Sequence, residues 1–569
     1  MNRLRPSAGL TLVVVLMLIS SLAVPTRTRA HDAASTDMAT AAAHEAAKGD
    51  TLLEALLTEL DRSTEQLKMD QVKAPYYVEY RVSDVDDFSA EAAFGSIRES
   101  DRSHLRVLRV VVRIGDYQQD SYYNQGLGAA SILPLDNDPI ALRRQIWLLT
   151  DEAYKSAADA YAEKLSALKQ FTADPTPIDD FARAPVVSLV GETVKLRIDQ
   201  QNWDKTLQDV TDLYQQYPEI QSVSASAHFV AVNEYFVNSE GTIVRQGRTT
   251  ATVTLNGSTQ APDGMRLARS PYWTEEHAED LPTRDKLLQE SKTMLDTLKA
   301  LRTAPIVEES YRGPVLFAPD AANDVVAGLV GVNVVGHKPQ LGRPNRTTGA
   351  FATSYKTRVL PKFVTVVDDP TLTAFEGKKL VGSYGVDSEG VKAQSVTLVD
   401  QGMLESYLTS RQPLRDFPDS NGHGRATPGG APIPGLGVLM VKSSEPESPK
   451  DLNEKLKQMA GAADKPYGYR VDTLGPGNAP RLLYRVYVKD GHEELVRGAV
   501  FNELDVRALR NDLSAVGNDP LVSNRLSGTP QTIICPSLLF DELEVKRADT
   551  TKEKLPEYPA PNIKPETKK

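Results

Sequence analysis

The chain of 569 residues is too long for a single hydrophobic core and implies two domains with appended segments. Hydrophobic residues make up 40% and charged residues 25%, an ordinary balance for a soluble globular protein. The formal net charge of -11 excludes a general affinity for nucleic acid, which requires basic surface to displace counterions from phosphates.

Residues 1–30 have the form of an export signal: Arg3 and Arg5 precede the apolar run Leu10 to Val24, and Thr28-Arg-Ala30 offers small residues for cleavage. The apolar run is short of the roughly 20 residues a membrane span needs, so no span is expected after cleavage, and retention as an anchor is the alternative. The mature chain is therefore expected in the periplasm or otherwise exported. Residues 31–50 form an Ala-rich leader. Its His44-Glu-Ala-Ala-Lys48 imitates a zinc-binding helix, but Lys48 stands where a second His would be needed to share the face. The one cysteine, Cys535, cannot form an internal disulfide, so stability must come from the core.

Folded structure is predicted to begin with a helix over Thr51 to Met69, striped by Leu53, Leu56, Leu57, Leu60 and Leu67. Tyr76 to Val82 and Leu105 to Ile114 follow as strands, then long helices over Leu142 to Gln170 and Trp203 to Tyr217. Val223 to Leu255 reads as three strands with a turn at Asn238-Ser-Glu-Gly241, and a helix over Thr283 to Arg302 closes the domain. The expected class is α+β: residues 51–305 as an amino-terminal α/β domain, with long helices on a mostly antiparallel sheet, and residues 306–545 as a β-rich carboxy-terminal domain. Residues 546–569 form a Lys/Pro-rich tail, expected to be disordered.

The second domain carries the informative stretch. Asp320 can cap a helix with an apolar face of Ala322, Val325, Val326 and Leu329, which Gly336 then ends or bends. After it come Lys362 to Pro370 (KFVTVVDDP), Gly385 to Gly390 (GVDSEG) and Ser395 to Tyr407 (SVTLVDQGMLESY), which alternate as strand and turn. Further on are Ser420-Asn-Gly-His-Gly-Arg-Ala426, a Gly/Pro-rich loop from Pro428 to Gly437, a helix over Pro449 to Met459 and a strand over Arg481 to Lys489. Glu494 to Val500, Leu513 to Asp519 and Ile533 to Val545 complete the series.

This succession resembles the TldD/PmbA family, metallopeptidase-like proteins also called modulators of DNA gyrase. The similarity lies in the VVDDP strand end, the D-x-E-G turn, the strand through Leu398 to Leu408, the glycine-rich loop and the terminal PSLLF strand, with an Asn-Ser-x-Gly turn in the first domain. It covers roughly Leu53 to Val545. In active members a helix with H-E-x-x-x-H and a downstream Cys bind zinc, and the Glu is the general base on the metal-bound water. Laid on that motif, this chain has Val332, Asn333 and His337, and the loop from Asn518 to Gln531 has no Cys.

The resemblance thus implies a degenerate, inactive relative of the TldE type, with no cofactor expected. Its implied partners are an exported paralogue with intact H-E-x-x-x-H, or a second copy in a homodimer, together with peptide. The alternatives are an active zinc peptidase with an unorthodox site, for which His337, His423 and Asp368 or Asp369 are the candidate ligands, and a stand-alone envelope scaffold. If the cleft still holds peptide, Val332, Val335, Val367 and Asp368 are expected to line it, with the strand entering Val367 as an edge open to main-chain pairing. Cys535, in an apolar strand, is expected to be an inert buried thiol, and no G-x-S-x-G elbow is present.

Overall fold

The computed structural model describes residues 38–123, 128–170, 177–307, 310–339, 341 and 346–549. The expected signal at 1–30 and all but the first residues of the tail lie outside these. The end of the leader, residues 38–47, is helical (α1).

Helix α2 (Thr51–Gln66) begins where the Asp50 carboxylate accepts from the backbone N–H groups of Leu52 and Leu53 at 3.0 and 3.1 Å. The chain then runs into β1 (Pro75–Ala93) and β2 (Ser96–Ile114), an antiparallel pair. Both strands extend well past the apolar runs that announce them. Cross-strand polar pairs carry the extension: the guanidinium groups of Arg102 and Arg106 pair with Asp86 at 2.7 Å and Asp84 at 2.8 Å, and the His104 ring hydrogen-bonds Asp84 at 2.6 Å. Opposite charges facing across a ladder stabilise it without apolar residues, which is why hydrophobic patterning alone undercounts these strands.

The rest of this half comprises β3 (Ala129–Leu133), α3 (Pro139–Leu168), β4 (Ser188–Val190), α4 (Gln200–Asp212), β5 (Ser222–Asn238), β6 (Ile243–Gln260), β7 (Arg266–Arg269), β8 (Tyr272–Glu275) and α5 (Arg284–Thr303). The strands order as β3-β2-β1-β5-β6-β4, with β7 and β8 on β6; β4 alone pairs in parallel. The segment expected as three strands is two, because β5 and β6 pair without a break from Ser222↔Ser258 to Val237↔Ile243. Side chains alternate in β1, so Val78, Tyr80 and Val82 share a face with Phe88, Ala90 and Ala92. Helices α2 and α3 cover one end of that face, and α4 and α5 the other. The opposite face bears Tyr77, Glu79, Arg81 and Ser83, polar groups that are nonetheless buried. They are buried because the second half of the chain sits on them.

That second half has two sheets around the largest apolar core. Strand β9 (Tyr311–Phe317) lies between Tyr467–Gly475 and Leu538–Arg547 in an eight-stranded sheet. Strand β10 (Val364–Asp368) lies between Val396–Asp400 and Val438–Ser443 in a six-stranded one. Phe317, Val366, Leu398, Leu439, Ile533 and Phe540 meet between them, joined by Val325 and Val326 of α6 (Pro319–Leu329). Helix α7 (Pro449–Ala462) covers the other side of β9, packing Leu452 and Leu456 on Leu316 and Leu539. The protein is thus mixed α and β with mostly antiparallel sheets, as expected. Strand β10 is not the open edge anticipated from sequence, since it is paired on both sides, by Val396–Asp400 and by Val438–Ser443. Among the described residues no helix is long and apolar enough to cross a membrane.

One side chain ties the halves together. Arg411 is fully buried, donates through Nε and Nη2 to the Ala182 carbonyl at 2.9 and 2.7 Å, and meets both Glu240 oxygens at 2.8 Å. Its guanidinium lies 4.0 Å from the centre of the Phe181 ring, and Nη1 reaches the Tyr77 hydroxyl at 3.3 Å. Removing one partner of a buried pair leaves an uncompensated charge. Arg411→Met is therefore expected to lower unfolding stability by roughly 3–5 kcal/mol, read as a drop in the urea midpoint. A midpoint matching the parent's would show that the Arg411–Glu240 pair does not hold the two halves together.

Candidate functional site

The metal-motif positions do not lie on one helix. Helix α6 begins at Pro319 with Ala318 as its cap residue, so Asp320 sits in the first turn and is not the cap. It ends at Leu329, seven residues before Gly336, and Gly331–Asn333 forms a 3-10 turn. Val330, Val332, Val334 and Val335, interrupted by Gly331 and Asn333, have weak helix propensity, and Val335 instead bridges in parallel to Leu408. Gly336 is required for another reason: a Cβ there would lie 2.5 Å from Leu414 Cδ1 and 2.9 Å from the Leu408 carbonyl.

Val332 is 59% exposed and has no donor atom for a metal. Asn333 is buried and both ends of its amide are engaged: Nδ2 donates to the Leu329 carbonyl at 2.9 Å, and Oδ1 accepts from Ala350 N–H at 2.7 Å. It clamps the end of α6 to the Gly349–Ala350 turn, where Gly349 has φ +86°. His337 is half-buried, and desolvation lowers its pKa, favouring the neutral ring. Cys535 is buried in the strand Thr529–Cys535, and burial pushes its thiol well above the ordinary range, as expected of an inert cysteine.

The structure does bring two of the candidate ligands together. His423 and Asp368 are both fully buried, with Nε2 3.3 Å from Asp368 Oδ1. Each is otherwise occupied. His423 Nδ1 lies 3.0 Å from both the carbonyl and the side-chain oxygen of Asn421, while Asp368 accepts from the backbone N–H groups of Gly437 and Val438 at 3.1 and 3.0 Å. Among the described residues, no group of three His, Cys, Asp or Glu side chains is close enough to hold a metal ion. The donor set therefore does not fit the zinc site that the family motif implies. The anticipated peptide cleft is also dispersed: Asp368 is sealed inside, β10 is paired on both sides, Val335 is half-buried, and Val332 is exposed on the 3-10 turn.

The D-x-E-G turn holds what sequence reasoning left as a simple turn. Asp387 accepts from Glu389 N–H and Val391 N–H at 2.9 Å and from Gly424 N–H at 2.8 Å, and Glu389 accepts from Arg411 N–H at 2.6 Å. Gly390 has φ +77°, and a Cβ there would meet Phe236 Cε1 at 2.5 Å. Nearby, Tyr384 donates to the Gly422 carbonyl at 2.9 Å under the Arg425 guanidinium, 4.0 Å from its ring centre. Burial, above all, pushes Asp387 up to about 6 and Glu389 up to about 8, the charge of Asp387 adding to the latter. The sequence signal for this pair was the D-x-E-G motif, but nothing in it told that the carboxyls face inward.

Residues 310–547 match the sequence model of the PmbA/TldA metallopeptidase C-terminal domain. Residues 310–547 thus form a C-terminal domain of the TldD/PmbA type. The chain is 25% identical over 322 residues to a metalloprotease of Methanocaldococcus jannaschii, an alignment covering 54% of this chain and 63% of that protein. It is also 25% identical over 211 residues to a metalloprotease of Methanothermobacter thermautotrophicus, covering 37% and 44%. The matched region thus spans less than two thirds of either relative. In structure, TldE from Thermococcus kodakarensis superposes with a TM-score of 0.57 at 14% identity, covering 87% of this chain and 100% of that one. The TldD/PmbA fold therefore extends over both halves of the chain.

The two raised carboxyls make stability depend on pH. The folded state holds protons that the unfolded chain, with carboxyl pKa values of about 4, has released. Their contribution is fully present below about pH 4 and is lost as pH rises through about 6 and about 8. Glu389→Gln keeps an acceptor for Arg411 N–H but cannot ionise, so its urea midpoint is expected to fall less than the parent's between about pH 6 and 9. Parallel midpoint curves for the two proteins would refute a buried, protonated Glu389.

Proposed function

We propose that this chain is an exported, non-catalytic TldE-like member of its family, which completes a peptidase assembly with a paralogue carrying intact H-E-x-x-x-H. The observation that carries the proposal is the state of the motif positions. Val332 has no ligand atom, and the Asn333 amide is used at both ends for backbone hydrogen bonds. Peptide hydrolysis without the general base forgoes a factor of about 10²–10⁴ in rate even with a metal present. Asn333 does structural work that a catalytic Glu pointing at a metal-bound water could not also do.

A TldE-like role is supported by the likeness of fold over 87% of the chain to a protein called TldE. Export is supported by the Arg-flanked apolar segment and by Thr28-Arg-Ala30. The mature chain then starts near His31 and works with its partner beyond the inner membrane, on unfolded peptides.

The purified mature protein is expected to hold well under one zinc per chain and to cleave no peptide by itself. Mixed with an exported paralogue bearing intact H-E-x-x-x-H, it is expected to raise that protein's peptidase activity. Elemental analysis giving one tightly held zinc, together with chelator-sensitive cleavage by this chain alone, would overturn the proposal.

A further inference from the structure

A cleft of about 460 Å³ opens where the β7–β8 corner of the first half meets α6 and the segments 473–476 and 521–524 of the second. Its volume lies within the range of small-ligand sites. Its walls are tied across the two halves by Tyr272 OH to Ser523 Oγ at 3.4 Å and Arg481 Nη1 to Ser270 Oγ at 3.2 Å. This is a different place from the motif turn, the His423–Asp368 pair and the Asp387–Glu389 turn, none of which lines it.

Its lining carries charges of both signs. Asp320 and Asp324 stand four residues apart on α6 and so share a helix face. Arg525 Nη1 pairs with Asp324 at 2.9 Å, and Asp320 stands one turn nearer the start of the helix. The enclosure raises the pKa of both carboxyls by desolvation. Arg269 and Arg481 line the same cleft, Arg269 within electrostatic reach of Asp320 and Arg481 within that of Asp324. Arg269 Nε is buried and has no hydrogen-bond partner, and desolvation lowers the pKa of its guanidinium. A third cation, Lys378, also lines the cleft and pairs with Glu275 at 3.3 Å. Tyr272 and Trp273 also line the cleft.

A simple anion would satisfy the arginines but face the two aspartates, and a simple cation the reverse. A compound with both signs, separated by a short apolar body, suits both sets of charges. We propose that this interdomain cleft binds a free amino acid or short peptide as a zwitterion, its carboxylate on Arg269 and Arg481 and its ammonium on Asp320. Arginine presents paired N–H donors that match a carboxylate, and a carboxylate of raised pKa gains most from a nearby ammonium. The inference rests on the charges of the cleft and not on the pairing proposed above.

The test is calorimetric titration of the full chain with the dipeptide Ala-Leu, its N-acetylated form, its C-terminal amide, inorganic phosphate and magnesium ion. Ala-Leu is expected to saturate one site, and each blocked form to bind about tenfold more weakly or worse. Arg269→Gln is expected to abolish the preference for the free acid over the amide, and Asp320→Asn the preference for the free amine over the acetylated form. Blocked and free dipeptides binding alike to the unaltered chain would overturn the inference without recourse to any variant. So would no saturation at roughly millimolar dipeptide, or saturation by phosphate or magnesium alone. A failed titration would leave zinc content and partner-dependent cleavage unaffected, so the two proposals fail separately.

Discussion

The guanidinium of Arg411 has to be neutralised inside the protein, and the way this is done fixes how the two halves meet. The side chain comes from the carboxy-terminal half, while Glu240, Ala182 and Tyr77 all belong to the amino-terminal half. Its own backbone is held in turn, since its N–H donates to Glu389 at 2.6 Å and its carbonyl accepts from Ala182 N–H at 2.8 Å. A cation in such a place is tolerable only while every one of these groups is in position. The seam therefore has little freedom to slide, and Glu389, whose carboxyl is pushed up by the same burial, is part of what fixes it.

The rest of the seam follows the same logic on a smaller scale. Arg81 and Arg109 on the polar face of the first sheet donate to the carbonyls of Gly430 and Gly429, with Arg109 at 3.1 Å. These arginines give the Gly/Pro-rich loop the partners its irregular backbone cannot find in itself. Gly429, at φ +70°, lets the loop approach within 2.8 Å of Val107, as measured from a notional Cβ. A segment that looks structureless in sequence is thus held in a defined path by side chains more than 300 residues away, as the 320-residue separation of Arg109 and Gly429 illustrates.

What was legible in the sequence was whatever periodicity or a motif could carry. The leucine stripe gave α2, the apolar runs gave the starts of β1 and the end of β2, and the family motifs placed the turns of the second half in the right order. What was not legible depended on partners distant in sequence. Charge pairing lengthened β1 and β2 where the pattern turned polar. Val396–Asp400 and Val438–Ser443 closed both sides of β10, which the local sequence left looking open. Asp368 and His423 were picked as possible metal ligands by residue type, and the structure does join them, but as anchors of the loops around Gly437 and Asn421. The mixed-charge cleft had no local signature beyond two aspartates at helical spacing, because its arginines come from two other parts of the chain.

The motifs that this chain shares with its family and those that it lacks divide by physical role. The shared ones carry backbone: Asp387 and Gly390 form a tight turn against Phe236, and the loop Ser420 to Ala426 is fastened to Asp387 and Ser388 through Gly424 and Ala426. Asp368 fastens Gly437 and Val438 in the same way. The departures fall at Val332, a largely exposed position, at Asn333, where an amide can both donate to Leu329 and accept from Ala350, and in the loop Asn518 to Gln531, which has no Cys. A carboxylate at Asn333 could accept from Ala350 but could not donate to the Leu329 carbonyl, and the buried end of α6 would lose that partner. The fold can therefore stand complete with the motif residues replaced, and likeness to metalloproteases in sequence is no measure of whether this chain cuts peptide bonds.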